Sequence, residues 1–246
     1  MKVRRENVPA RVEDDPTMSA RALSRVIERS TRVQAPVVKA YVARLRRSNP
    51  EATPADIVIK LEKRYLAAVM ASGAAVGSAA AVPGIGTLAA LSAVAGETVV
   101  FLEATAVFVL AIAEVHGIPL DQRERRRALV LAVLVGDESK GAIADLLGPG
   151  RTSRAWLAEG AEMLPLPALS QLNTRLMRYF VKRYTLKRSV MAFGKILPAG
   201  IGAAVGGGGN RMMGKKIVNN ARTAFGPAPA RWPVSLQLLP AIEPGR

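Results

Sequence analysis

A stretch of eight residues near the C-terminus has most of the spacing of a phosphate-binding loop. It runs from Gly209 to Lys216, with Gly214 and Lys215 at the positions that the motif requires. The last position should carry a Ser or Thr hydroxyl to hold magnesium, and Lys216 stands there instead. Because no strand pattern precedes it, we interpret this stretch as part of a helix with a basic face.

A second glycine pattern, Gly84-Ile85-Gly86-Thr87-Leu88-Ala89, resembles the turn that binds dinucleotides, with Glu103 near the expected acidic position. That turn follows a β-strand, whereas residues 79–83 make a poor one. We therefore interpret the pattern as the turn of a helical hairpin. Neither glycine pattern predicts a cofactor.

Three acids, Glu97, Glu103 and Glu114, lie in an otherwise apolar segment just before His116, the single imidazole of the chain. Glu103 and Glu114 are separated by roughly 16 Å along a helix, too far to bind one ion. We expect each to be a buried acid paired with a Lys or Arg of a neighbouring helix. The chain has no cysteine, which fits a reducing compartment. No catalytic or metal-binding spacing occurs, so we predict no enzyme activity.

The elements that hold these residues are set by two apolar hairpins rich in Gly and Ala. Residues 66–96 form a run of 31 residues without charge, broken at Pro83-Gly84-Ile85-Gly86. The segments 69–73 and 83–86 are echoed by 190–194 and 198–202. Small residues at a spacing of four let helices approach closely. The glycines expected at helix contacts or hairpin turns are Gly73, Gly77, Gly84, Gly86, Gly202 and Gly206.

The rest of the chain predicts an all-α helical bundle. Thr53, Pro54 and Asp56 give a strong helix start, and Asp121 with Glu124 gives a second capping box, opening a helix to about 135. Alternation typical of strands is absent. We predict a disordered N-terminal tail (1–16), one helical domain (17–225) and a Pro-rich disordered tail (226–246). Within the domain, further helices are expected over 17–47, 138–147, 152–163 and 168–188.

The charge pattern points to an anionic partner. The formal net charge is +16, and residues 65–120 contain neither Lys nor Arg, so the positive charge brackets the apolar block. Basic residues flanking apolar hairpins suit an anionic membrane surface. Full spanning is not favoured, because the acids would lie at bilayer depth. The candidate lipid or phosphate contacts are Lys182, Arg183, Lys187, Arg188, Arg211, Lys215 and Lys216.

Several of these segments resemble the EcsC protein family. They are Pro83–Gly86, Ala113–Ile118, Lys195–Asn210 and Ala221–Phe225, and the resemblance covers roughly residues 55 to 226. It implies a predominantly helical bacterial protein. The family is named for an association with an ABC transporter operon linked to protein secretion, and it brings no catalytic residues to carry over. This chain departs from the family's usual Gly/Asn stretch, because residues 206–210 are four glycines followed by Asn210.

Together these patterns predict a non-enzymatic protein at the cytoplasmic face of the cell membrane, peripheral or partly inserted. It would contact anionic lipid or a membrane protein such as an ABC transporter. The alternative is a soluble, basic, cytoplasmic nucleic-acid-binding protein, because phosphates attract the same charges. The low aromatic content, 4%, and the lack of a recognition motif speak against it.

Overall fold

The computed structural model describes residues 35–80, 87–137, 165–192 and 201–233, together with residues 25, 139 and 141. Within these residues six helices are described: α1 (Ala35–Arg47), α2 (Pro54–Ala80), α3 (Thr87–Val115), α4 (Arg123–Val135), α5 (Leu166–Ala192) and α6 (Ile201–Phe225). These ranges contain no β-strand, so the all-α bundle is confirmed for the described part of the chain. The predicted tail 1–16 and most of the helices expected at 17–34, 138–147 and 152–163 lie outside the described residues.

Helix α2 begins at the capping box that the sequence predicts. The Thr53 backbone N–H donates to Asp56 Oδ2 at 2.9 Å, and the Asp56 N–H donates to Thr53 Oγ1 at 3.2 Å. Pro54 occupies the first helical position, where no N–H is needed. The hydrogen bonds from the Thr53 hydroxyl and N–H lower the pKa of Asp56. The start of α2 is therefore fixed by residues three apart in sequence.

Helices α2 and α3 form the first predicted hairpin, whose turn, 81–86, lies outside the described residues. The Tyr65 ring of α2 stacks on the Phe108 ring of α3 with centroids 4.6 Å apart. The Tyr65 hydroxyl also shares a hydrogen bond of 2.9 Å with Thr105 Oγ1. Every residue of α3 from Phe108 to Val115 is buried, so this helix forms the centre of the core.

Helix α6 packs along α2 in the antiparallel direction. Asn210 near its beginning donates to the Val69 carbonyl at 2.9 Å, Gly214 packs against the Val69 side chain, and Arg222 near its end pairs with Glu62. The sequence pairs α6 with α5 in a second hairpin, yet the partner along which α6 packs is α2. Gly214 has no side chain, so the backbones of α2 and α6 can approach closely at this position.

Helices α4 and α5 pack against each other and complete the core. The apolar residues of α5 at helical spacing face the core over its described side chains, with Leu169, Leu172, Leu176 and Phe180 buried. The capping box predicted at Asp121 and Glu124 is wrong, because the residue at the N-cap is Gln122 and no side chain caps it. Instead the Glu124 carboxylate accepts a hydrogen bond of 2.6 Å from the Asn173 amide of α5.

The chain continues in contact with the bundle after α6 as far as residue 233, although the sequence predicts a disordered tail from residue 226. The Arg46 guanidinium of α1 lies 4.0 Å from the centroid of the Trp232 ring, and Trp232 packs against the core. Pro233 covers Gly117, whose φ of 75° ends α3 in a Schellman motif. An aromatic side chain and a proline therefore hold residues 226–233 in place. The remaining residues, 234–246, lie outside the described part.

Candidate functional site

The stretch that resembles a phosphate-binding loop lies in the middle of α6. Residues 209–216 belong to the continuous helix Ile201–Phe225, so their backbone N–H groups bond within the helix. A phosphate-binding loop needs those N–H groups free to point at the ligand. The interpretation as helix is confirmed. Of the dinucleotide-like pattern, Gly84 and Gly86 lie outside the described residues, and Thr87 begins α3.

The acids of α3 do not come together. Glu114 is buried at the end of the helix, where burial raises its pKa, the charge of Lys39 opposes that shift and the charge of Asp121 adds to it. Glu97 and Glu103 are half-buried and each has an interaction partner. Within the described residues, no three His, Asp or Glu side chains lie close enough to hold a metal ion. The arrangement is that of separately accommodated acids.

The sequence did not single out the acid with the clearest ion pair, Glu62 of α2. It is only 6% exposed, and both of its carboxylate oxygens accept hydrogen bonds from Arg222. Its partner is 160 residues away in sequence. A charged position on an apolar helix face was the available signal, because such an acid needs a partner when the face is buried.

His116 is partly buried at the end of α3, beside the Phe225 ring. Its ring lies 5.4 Å from the Phe225 ring, centroid to centroid, and burial lowers its pKa to about 4. At neutral pH the imidazole is therefore uncharged. Since Glu114 is two residues away on a different side of the helix turn, the two do not form an acid–base pair by helical geometry.

The basic candidates fall into two groups. Lys182 is exposed on α5, while Arg183, Lys187 and Arg188 follow on the same helix with side chains outside the described set. Arg211, Lys215 and Lys216 are all exposed on α6. The structure therefore places both groups on helices, as the sequence predicts, and describes the exposure of four of the seven side chains.

The glycine that makes the closest helix contact is Gly214. A Cβ added there would lie 3.0 Å from both Leu66 Cδ2 and Val69 Cγ2. Gly73 is buried in α2, Gly77 lies in α2, and Gly202 and Gly206 lie in α6, although the burial of the last three is outside the described set. The available signal for Gly214 was the spacing Gly206, Asn210, Gly214, three small or polar residues four apart.

Three uncharged helix segments meet at one end of the bundle. They are residues 66–80 of α2, 87–96 of α3 and 201–210 of α6, and we call them the charge-free end. Because α3 and α6 both run antiparallel to α2, the first turns of these two helices lie beside the last turns of α2. The ten-residue segments of α3 and α6 each extend about 15 Å along the helix axis.

The charge-free end exposes small and apolar residues. Its exposed described positions are Ala67, Ala68, Ala71, Ala75, Gly96 and Gly208. Charged residues begin immediately outside it, with Arg64 on α2 and Arg211 on α6, both exposed, and with the half-buried Glu97 on α3. These six exposed positions, four on α2 and one each on α3 and α6, are all uncharged in a chain with 22% charged residues.

One described stretch, Gly96–Val115 of α3, is long and apolar enough to cross a bilayer. Of the 18 most apolar consecutive residues in this stretch, 67% are buried inside the bundle. The core helix of a soluble protein has the same length and composition, so this stretch alone does not favour a spanning helix.

A shallow concave surface lies where the C-terminal segment meets the start of α2. It has a volume of about 350 Å³ and is lined by residues 51–54 and 230–232. Its charged side chains are Glu51 and Arg231, both exposed. These are not the buried, convergent polar groups of a small-molecule site.

Comparison with known proteins finds no counterpart: the chain matches no protein-family model, no curated protein and no solved structure.

Proposed function

We propose that this protein is a non-enzymatic, peripheral membrane protein that inserts its charge-free end into the cytoplasmic leaflet of the cell membrane. The single observation that supports the proposal is the meeting of three uncharged helix segments at one end of the bundle. A charged side chain is costly in hydrocarbon, so a surface that enters a membrane must lack charge. A surface that faces only water has no such restriction.

The length of the charge-free end supports insertion into a single leaflet. The hydrocarbon core of a bilayer is about 30 Å thick, so one leaflet contributes about 15 Å. The uncharged segments of α3 and α6 match that depth. All three segments are helical, so their backbone hydrogen bonds are made internally, as a lipid environment requires. The same surface also suits a membrane protein, such as the ABC transporter partner that the EcsC resemblance implies.

Nucleic-acid binding is the second candidate, and one observation favours it. Residues 163–242 contain twelve Lys or Arg and no Asp or Glu, which would suit a phosphate backbone. That explanation accounts for the basic residues and leaves the charge-free end unexplained. Membrane association accounts for both features, so it is the function we propose.

The proposal is tested by placing one acid in the charge-free end. Ala75 and Ala55 are both exposed positions of α2, about 30 Å apart along the helix, and only Ala75 lies in the charge-free end. We expect Ala75→Glu to weaken binding to phosphatidylcholine vesicles, and to vesicles that also contain phosphatidylglycerol, by about tenfold or more, because a buried charge in hydrocarbon is costly. Flotation of the full-length protein with vesicles measures this.

The matched control is Ala55→Glu, which adds the same charge outside the charge-free end and is expected to leave vesicle binding nearly unchanged. Circular dichroism and thermal melting establish that both variants stay folded. Equal binding of the two variants would reject insertion. A wild-type protein that floats with neither kind of vesicle at low salt would reject the membrane role altogether.

A further inference from the structure

Two basic residues of α6, Arg211 and Lys215, lie on the same exposed side of the helix. They are four residues apart, which places them about 40° from each other around the axis and about 6 Å apart along it. Asn210 and Gly214, the residues just before them, are buried against α2. The contact with α2 therefore fixes which way this pair faces. Lys216 lies about 100° further round the helix.

The pair begins where the charge-free end stops. Asn210 is the last residue of the uncharged segment of α6, and its amide donates to the Val69 carbonyl. Arg211 is therefore level with the exposed alanines of α2 near Val69, and Lys215 lies one helical turn further from the tip. Met212 lies between them in sequence. With 67% of its surface exposed, it adds an apolar side chain to the surface beside the pair.

The acids of α3, Glu97 and Glu103, are half-buried and each already has an interaction partner. Helix α6 contains no Asp or Glu, and its four basic residues are Arg211, Lys215, Lys216 and Arg222. The acid of α2 that is nearest to this surface in register, Glu62, is buried in its ion pair with Arg222. A ligand that approaches Arg211 and Lys215 thus finds two cations on an apolar boundary.

We propose that Arg211 and Lys215 bind the net negatively charged headgroups of anionic lipids, whose phosphate is not neutralised by a choline, and thereby give the protein its preference for anionic membranes. This rests on the proposed function, because insertion of the charge-free end would bring the pair to the headgroup layer. A guanidinium suits a phosphate group through two parallel hydrogen bonds. The long Lys215 side chain reaches along the helix to the same layer with its apolar stem against lipid.

The test compares two double variants that remove the same charge. Arg211→Gln with Lys215→Gln removes the pair, and Arg44→Gln with Arg47→Gln removes two exposed arginines from α1. Both are made in the full-length protein, and circular dichroism and thermal melting establish folding. Binding is measured by flotation with vesicles of pure phosphatidylcholine and with vesicles that also contain phosphatidylglycerol, and by titration with duplex DNA.

We expect the α6 double variant to bind phosphatidylglycerol-containing vesicles about thirtyfold more weakly, since each basic residue near an anionic surface contributes about 1 kcal/mol and about 1.4 kcal/mol is a factor of ten. Its binding to pure phosphatidylcholine should stay within about twofold, since the charge-free end is intact. The α1 double variant should lose several-fold less on the anionic vesicles.

Each other result has a distinct meaning. Equal losses for the two double variants would overturn the assignment of the pair and leave insertion standing. A wild-type protein that binds neither kind of vesicle would overturn this inference together with the proposed function. Wild-type binding to duplex DNA without binding to vesicles would replace the lipid phosphate with a nucleic-acid phosphate.

Discussion

The Arg222 guanidinium donates from Nε to Glu62 Oε1 at 2.7 Å and from Nη2 to Glu62 Oε2 at 2.5 Å. This two-pronged contact joins α6 to α2. It is asymmetric in burial, because the Glu62 side chain is 8% exposed whereas the Arg222 side chain is 62% exposed. The hydrogen bonds and the charge of Glu62 raise the pKa of Arg222. Glu62 therefore needs Arg222 to satisfy its buried carboxylate, whereas the exposed Arg222 guanidinium can hydrogen-bond to water instead.

Removing Arg222 should therefore destabilise the fold. We expect Arg222→Ala to lower the free energy of unfolding by about 1–3 kcal/mol, because a buried carboxylate is left without its donors. Urea denaturation measures the change. The control is Lys215→Ala, a substitution of similar helix propensity at an exposed position of the same helix, which should cost little. If both variants unfold at the same urea concentration, the ion pair does not stabilise the contact between α2 and α6.

Two glycines of α6 should differ in their response to the same substitution by Ala. A Cβ added at Gly208 meets nothing within 4 Å, so Gly208→Ala should raise the free energy of unfolding by about 0.5–1 kcal/mol through helix propensity. A Cβ at Gly214 meets Leu66 and Val69 at 3.0 Å, so Gly214→Ala should lose that gain.

The larger substitution Gly214→Leu should cost about 1–3 kcal/mol by forcing α2 and α6 apart. Thermal melting of the three variants gives the comparison. A melting temperature for Gly214→Leu at or above that of Gly208→Ala would show that the helices do not approach closely at this position.

The lowered pKa of His116 predicts how the stability of the fold depends on pH. Its pKa is about 4 in the folded protein and near 6.5 when unfolded, so between these values the unfolded state binds the proton and the folded state does not. Stability should therefore fall as the pH drops from about 6.5 towards 4, by at most about 1.4 kcal/mol per pH unit from this group. The raised pKa of Glu114 acts in the opposite direction.

The contribution of His116 is isolated with His116→Gln, which keeps a polar side chain but cannot titrate. Urea midpoints of the wild type and the variant are compared at about pH 7, 6 and 5, so that the effect of Glu114 is common to both proteins. We expect the wild type to lose more stability on acidification than the variant. Parallel pH profiles would mean that the imidazole is as accessible to protons in the fold as in the unfolded chain.

Local signals in the sequence predict local structure well. The start of α2 depends on Thr53, Pro54 and Asp56, which contact one another, so their types and spacing determine the result. The same pattern at Glu124 misleads, because Asn173, 49 residues away, bonds the carboxylate instead. A capping pattern specifies a cap only when no distant donor competes for the same oxygen.

For the charge-free end, too, local features can be predicted from the sequence and contacts between distant residues cannot. The uncharged runs and the basic flanks are visible in the sequence, since composition alone defines them. Which helices the runs join is not visible, because the contacts that align α6 with α2 connect Asn210 to Val69 and Arg222 to Glu62 across more than 140 residues. Spacing within one helix says which residues share a side, but it does not say which helix that side meets.

The pairing of α2 with α6 also has a consequence for synthesis of the protein. A ribosome releases α2 well before α6, because the contact between Val69 and Asn210 spans 141 residues. Until α6 emerges, the side of α2 that carries Glu62 faces water, and the contact between α2 and α6 cannot form. The charge-free end is therefore complete only after α6 has left the ribosome, and a nascent chain that has released only α2 and α3 lacks part of this surface.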